Sequence, residues 1–98
     1  MLYDLVGPHH YNRLDVPIEA DSKKRVRDRV AKADPDYLCG MRVVRREASD
    51  GFRFVLQGGC WLVIRLSGTE PLLRIYAEAD SPSRVTELLQ QGRELAGI

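Results

Sequence analysis

The sequence is short of several features that would point to particular classes of protein. Only two of its 98 residues are cysteines, Cys39 and Cys60, which excludes a disulfide scaffold and favours two reduced thiols in a cytoplasmic protein. The 15 Lys and Arg residues nearly balance the 14 Asp and Glu residues, so the net charge of +1 predicts no general attraction to nucleic acid or membranes. No apolar run approaches the roughly 20 residues of a membrane span, and the first residues lack the apolar stretch of a secretory signal.

What is present is the composition of an ordinary globular domain, with 44% hydrophobic and 30% charged residues. A chain of this length is expected to form a single domain over residues 1–98. It can bury one core but leaves little room for a deep, enclosed active site.

Hydrophobic spacing predicts two helices and a set of strands. Val26 and Val30 recur at helical spacing in the first helix, for which Asp21 or Ser22 is the expected cap. Leu73 and its alternate neighbours form one face of the last strand. The predicted elements are an extended segment at 10–18, a helix at 20–33, strands at 41–48, 52–57, 60–66 and 72–79, and a helix at 82–96.

The last helix carries clear boundary signals. Ser81 is a suitable cap, Pro82 fits the first helical position and Gly97 fits the end. Gly92 lies inside the helix, where glycine is expected to cost about 1 kcal/mol relative to alanine.

These elements predict an α+β fold, with an antiparallel sheet of about four strands and both helices packed on one face. The sequence contains no repeats. The residues predicted to form the core are Val26, Val30, Phe54, Leu62, Ile64, Leu73, Ile75, Val85, Leu88 and Leu89.

The turn between the last two strands is richer in polar groups than a chain reversal requires. Arg65 can bind a phosphate in a bidentate manner, and Ser67 and Thr69 carry hydroxyl donors. Gly68 allows close approach to the backbone, whose successive N–H groups can bind an anion. Arg74 on the returning strand is a candidate second cation. This combination favours a phosphate-binding site.

Glu70 does not suit a simple phosphate site, since a carboxylate repels an anion. It could hold the turn in shape by accepting hydrogen bonds from backbone N–H groups or from Arg65, or it could accept a sugar hydroxyl. The composition alone also fits an ordinary hairpin turn in which Arg65 pairs with Glu70, because Ser, Gly, Thr and Pro are common turn residues.

The run Arg65, Ser67, Gly68, Thr69, Glu70 and Pro71, "RLSGTEP", followed by an alternating strand and a final helix, resembles the C-terminal domain of the α-D-phosphohexomutases. The family includes phosphoglucomutase and phosphomannomutase. The resemblance spans most of the chain and implies a fold similar to the TATA-binding protein. It also implies that Arg65, Ser67, Gly68, Thr69, Glu70 and Arg74 contribute to binding the substrate's phosphate.

The resemblance further implies a detached fourth domain of a longer enzyme that interconverts hexose 1-phosphate and hexose 6-phosphate. In that family the phosphorylated serine, the magnesium site and the sugar-specificity loop lie in other domains, and a hexose 1,6-bisphosphate forms during the reaction. The expected partners are therefore a hexose phosphate and the other domains. This chain is expected to hold no catalytic residue, metal or cofactor and to be inactive alone, and it does not identify the sugar.

Three other features suggest different functions. His9-His10 lacks a third ligand nearby and favours exposed surface over a metal site. The basic run at 23–29 favours a solvated helix face, with attraction of sugar phosphates as a second possibility. Phe52, Phe54 and Trp61 could form a base-stacking platform in a stand-alone RNA-binding module, but their spacing favours a core role.

Overall fold

A computed structural model of the chain describes residues 10–48 and 51–98, and it is an α+β structure with one antiparallel sheet. Its helices and strands are β1 (His10–Pro17), α1 (Lys23–Lys32), β2 (Tyr37–Leu38), β3 (Met41–Glu47), β4 (Phe52–Leu56), β5 (Trp61–Leu66), β6 (Leu72–Ala79) and α2 (Pro82–Ala96).

The sheet has the strand order β1-β6-β5-β4-β3-β2, with every neighbouring pair antiparallel. It has two more strands than the approximate four that the sequence predicts. The edge strand β1 corresponds to the extended segment predicted at 10–18, whereas the two-residue edge strand β2 was not predicted. β6 pairs with β1 and β5, and β5 pairs with β6 and β4. Each strand of the β5–β6 hairpin therefore has a partner strand on both sides.

Side chains alternate between the two faces of the sheet, and the two helices cover the apolar face. On β6 the residues from Leu73 to Ala79 alternate between buried and partly exposed positions, as the sequence predicts. Helices α1 and α2 contact each other and contribute to the same apolar cluster as β5 and β6, so both lie on this face. All ten predicted core residues are buried: Val26, Val30, Phe54, Leu62, Ile64, Leu73, Ile75, Val85, Leu88 and Leu89.

Helix α2 has the boundaries that its local signals predict. The Ser81 hydroxyl accepts a hydrogen bond from the backbone N–H of Arg84 at 3.3 Å, and Gly97 ends the helix with φ +76°. The structure corrects the expectation that Gly92 only costs stability relative to alanine. An added Cβ would lie 2.8 Å from Ile75 Cγ2, so its lack of a side chain allows close packing of the helix on the sheet. Alanine at this position would meet a steric conflict that helix propensity ignores.

Helix α1 begins differently from the prediction. A 3-10 turn at Ala20–Ser22 precedes it, and neither Asp21 nor Ser22 caps it with a side-chain hydrogen bond. The Ser22 side chain is buried, and its hydroxyl donates to the backbone carbonyl of Glu19 at 2.8 Å. The hydroxyl therefore stabilises the turn rather than the helix end.

The β2–β3 connection is a two-residue turn at Cys39 and Gly40, whose φ angles are 52° and 74°. Such positive angles are typical of tight hairpins. The backbone N–H of Cys39 donates to the side-chain carbonyl of Gln91 at 2.7 Å, which ties the hairpin to α2.

Both Cys39 and Cys60 are free thiols. Burial raises the pKa of the Cys39 thiol to about 11, so this thiol stays protonated at neutral pH.

One of the sequence predictions, for His9, concerns a residue outside the described ranges. His10 is exposed at the start of β1. Within the described ranges, no helix has the length and apolar character needed to cross a membrane.

Candidate functional site

The polar turn singled out in the sequence lies at one end of the sheet, where a five-residue loop, residues 67–71, joins β5 to β6. Ser67 is partly buried, and residues 68–71 are exposed. The backbone N–H of Ser67 donates to the carbonyl of Leu72 at 3.0 Å, and that of Leu72 donates to the carbonyl of Glu70 at 2.8 Å. These bonds close the hairpin at the base of the loop.

The Ser67 hydroxyl lies at the centre of the loop. Its oxygen accepts hydrogen bonds from the backbone N–H groups of Thr69, at 3.4 Å, and of Glu70, at 3.2 Å. A hydroxyl has two acceptor positions and one donor hydrogen. Because both acceptor positions are engaged within the loop, the hydrogen is left to donate to another group, which is the role that an anion requires.

Two contacts from other parts of the chain hold the backbone of the loop. The N–H of Ile18 donates to the carbonyl of Pro71 at 2.9 Å, and Nζ of Lys23 donates to the carbonyl of Ser67 at 3.0 Å. The second contact joins residues 44 positions apart. The loop is therefore fixed at both ends by the segment that runs from β1 into α1.

Arg65 and Arg74 are register partners on β5 and β6, and they lie on the sheet face opposite the helices. Like charges directly opposite each other on a sheet are destabilising, and an anion between them would relieve that repulsion. Arg74 is partly buried, and its Nε has no hydrogen-bond partner among the described residues. An unsatisfied buried donor is costly, and no acceptor among the described residues offsets that cost at Arg74 Nε.

A groove of about 400 Å³ runs beside the loop, and it contains two of the predicted site residues, Arg65 and Gly68. Gly51, with φ +91°, forms part of its wall and approaches the Arg65 side chain so closely that a Cβ at this position would lie 3.2 Å from Arg65 Cβ. The described residues that line the groove are Arg27, Ala48, Gly51, Phe52, Arg65, Leu66 and Gly68.

The predicted site residues therefore lie close together along the chain but do not all line one cavity. Ser67, Thr69, Glu70 and Arg74 lie outside the lining of the groove. Glu70 is exposed, and its carboxylate makes no hydrogen bond or ion pair within the described part of the chain. Its backbone N–H and carbonyl take part in closing the loop. The turn is thus ordered by backbone contacts of Glu70 rather than by its charge.

Lys23 and Arg27 are not among the site residues predicted from the sequence, because the basic run at 23–29 favours a solvated helix face, with attraction of sugar phosphates as a second possibility. Lys23 holds the loop, and Arg27 lines the groove. Their spacing of four places both on the same side of α1, and this spacing was the available signal. It could not show which side of the helix faces the loop, because that depends on tertiary packing.

The aromatic residues proposed as a base-stacking platform do not form one. Phe54 is fully buried, and Phe52 packs against the core, as the core interpretation predicts. Trp61 lies on the opposite face, partly exposed, with the Arg53 guanidinium 5.7 Å from the centre of its ring and the ring of Tyr11 at 5.9 Å. Its ring already contacts other side chains of the sheet.

Comparison with known proteins identifies the family. Residues 13–95 match the family described as phosphoglucomutase/phosphomannomutase, C-terminal domain. The chain is 35% identical over 97 residues to a phosphoglucosamine mutase of Methanocaldococcus jannaschii, covering 96% of this chain and 20% of that protein. It is 38% identical over 97 residues to a phosphoglucosamine mutase of Methanococcus aeolicus, with the same coverage.

A phosphomannomutase of Sinorhizobium fredii is 41% identical over 66 residues, which are 65% of this chain and 14% of that protein. The chain thus spans about a fifth of the length of the two phosphoglucosamine mutases that it matches.

Proposed function

The chain belongs to the phosphoglucomutase/phosphomannomutase C-terminal domain family, and we propose that it binds the phosphate group of a hexose phosphate for such an enzyme. The observation that carries this proposal is the hydroxyl of Ser67. Backbone N–H groups engage both of its acceptor positions, so it is prepared to donate. The neighbouring cations Arg65 and Arg74 supply the charge that a phosphate requires.

The other loop residues have distinct proposed roles. Gly68 leaves the backbone open to a ligand, since an added Cβ at this position would have no neighbour within 4 Å. Thr69 offers an exposed hydroxyl beside Ser67. Glu70 orders the loop through its backbone, and its exposed carboxylate is free to accept a sugar hydroxyl.

The reaction proposed for the complete enzyme is the interconversion of hexose 1-phosphate and hexose 6-phosphate through a 1,6-bisphosphate. This domain would hold the phosphate that is not reacting. Binding energy from that remote group orients the reacting oxygen, which can contribute several kcal/mol to catalysis. Since the held phosphate is distant from the reacting centre in both half-reactions, one loop can serve both substrate orientations.

The family resemblance also implies magnesium, and the described residues do not fit a magnesium site. Within residues 10–48 and 51–98, no group of three or more His, Cys, Asp or Glu side chains is placed to hold a metal ion. The role proposed for this chain is phosphate binding. We expect the chain by itself to have no mutase activity, with the other domains of the parent enzyme supplying the phosphoryl-transfer chemistry.

The proposal can be tested by kinetics of a complete enzyme that contains this domain. Arg65→Ala removes a charge-assisted contact, so kcat/KM with the preferred hexose phosphate should fall roughly 10- to 150-fold. The matched control is Arg45→Ala, an exposed arginine on β3, which should leave kcat/KM within about 2-fold. An Arg65→Ala enzyme as active as the wild type, or an enzyme active only on substrates without phosphate, would refute the proposal.

A further inference from the structure

We propose that Arg27 on α1 is a further cationic ligand for the phosphate, in addition to Arg65 and Arg74, and that it binds from the groove that it lines together with Arg65. This inference rests on the proposed function, and it adds a binding residue that lies 38 positions before the loop motif. The observation behind it is that Arg27, Arg65 and Gly68 line the same groove.

The groove has the size and charge for a phosphorylated ligand. Its volume of about 400 Å³ lies within the usual range for small-molecule sites. Its described lining contains two arginines and no carboxylate. A phosphate monoester carries a charge near −2 at neutral pH, and within this groove Arg65 alone does not balance it, because Arg74 lies outside the lining. The second guanidinium supplies both the missing charge and a planar set of donors.

Helix α1 is fixed against the loop in the orientation that this role requires. Lys23, four residues before Arg27, donates from Nζ to the backbone carbonyl of Ser67. Residues four apart lie on the same face of a helix, about 5–6 Å apart at Cβ. Because Lys23 holds the loop, Arg27 is directed to the adjoining part of the same surface. Lys23 is thus a positioning residue, and Arg27 is the proposed ligand.

Arg27 itself is available for a ligand. Its side chain is exposed, and it makes no ion pair or hydrogen bond with the described residues. The neighbouring arginine on the same helix, Arg25, has a different environment. It lines a separate groove on α1 together with Lys24, Arg29 and Lys32, and this groove also contains the carboxylates of Asp21 and Asp28. The two arginines therefore differ in surroundings while sharing helix and charge.

This difference provides a matched pair of variants, Arg27→Gln and Arg25→Gln, which remove the same charge from the same helix. The measurement is the Kd of the 98-residue chain for glucose 1-phosphate, obtained from NMR titration. We expect Arg27→Gln to raise the Kd roughly 3- to 10-fold and Arg25→Gln to raise it less than about 2-fold. Unchanged backbone spectra away from α1 would verify that both variants fold.

The outcomes separate this inference from the proposed function. If the ligand shifts residues 65–70 and Arg65→Ala weakens binding, but Arg27→Gln and Arg25→Gln have equal effects, Arg27 contributes only general charge and the inference is refuted. If glucose 1-phosphate leaves residues 65–70 unaffected in the wild type, the proposed function fails, and the inference fails with it. A larger effect of Arg27→Gln than of Arg25→Gln supports both.

Discussion

The helix-covered face of the sheet and the loop at its end differ in what holds them. On the covered face, Leu62 and Ile75 are fully inaccessible to solvent, and α2 lies so close that a Cβ added at Gly92 would be 2.8 Å from Ile75 Cγ2 and 3.4 Å from Leu62 Cδ1. In the loop, Gly68 and Thr69 are exposed, and order comes from hydrogen bonds to backbone groups and to one hydroxyl. One region is stabilised by apolar packing and the other by polar contacts at its base.

This comparison indicates how the two regions should respond to substitution. Core side chains contribute mainly to stability, because their removal leaves a cavity that neighbours fill only in part. Exposed loop side chains make few contacts and are expected to contribute little to stability, so they are available for ligand binding.

The largest effect is expected from Ile75→Ala, at the centre of the covered face. Ile75 has no solvent exposure, and truncation of a buried Ile to Ala costs about 2–5 kcal/mol. Urea denaturation of the chain should show this loss in the free energy of unfolding. Thr69→Ala is the matched loop control and should change the same quantity by less than about 0.5 kcal/mol. Equal losses in the two variants would abolish the distinction between core and loop.

Gly92→Ala is expected to have a smaller effect on the free energy of unfolding, and to lower it where helix propensity predicts an increase. Helix propensity alone predicts a gain of about 1 kcal/mol, but the new Cβ would lie 2.8 Å from Ile75 Cγ2. Overpacking typically costs about 1–3 kcal/mol, so the variant should have a lower free energy of unfolding than the wild type. Gln90→Ala, at an exposed position of the same helix, should be close to neutral. Stabilisation by Gly92→Ala would show that α2 can move away from the sheet.

The sequence predicted the fold best where the signals are local. Alternation defined β6, and the serine cap, proline and terminal glycine defined α2, so the bounds of both elements are confirmed. The sequence failed where the structure depends on tertiary contacts. The short strand β2 pairs through a turn that places Cys39 at positive φ, which is uncommon for a non-glycine residue, and Gln91 on α2 helps to hold it. The same limit applies to Gly92, whose role comes from Ile75 on another element.

In the candidate site, too, the sequence predicted what is local and missed what depends on tertiary contacts. The loop motif is contiguous in sequence, so its residues could be named from the chain alone. Arg27 and Lys23 belong to a helix far from the motif, and only the packing of α1 beside the loop brings them there. The roles within the motif also required the structure. The backbone rather than the carboxylate of Glu70 orders the loop, and the Ser67 hydroxyl accepts two hydrogen bonds.

The central claim is that residues 65–70 bind a phosphate while the sheet beneath them stays unchanged. The most direct test is NMR titration of the chain with glucose 1-phosphate, comparing the wild type with Arg65→Ala. The account predicts shifts centred on residues 65–70, an affinity of about millimolar, weaker binding at higher salt and a marked loss of binding in the variant. Shifts that avoid residues 65–70, or that Arg65→Ala leaves unchanged, would contradict it and leave the loop as an ordinary chain reversal.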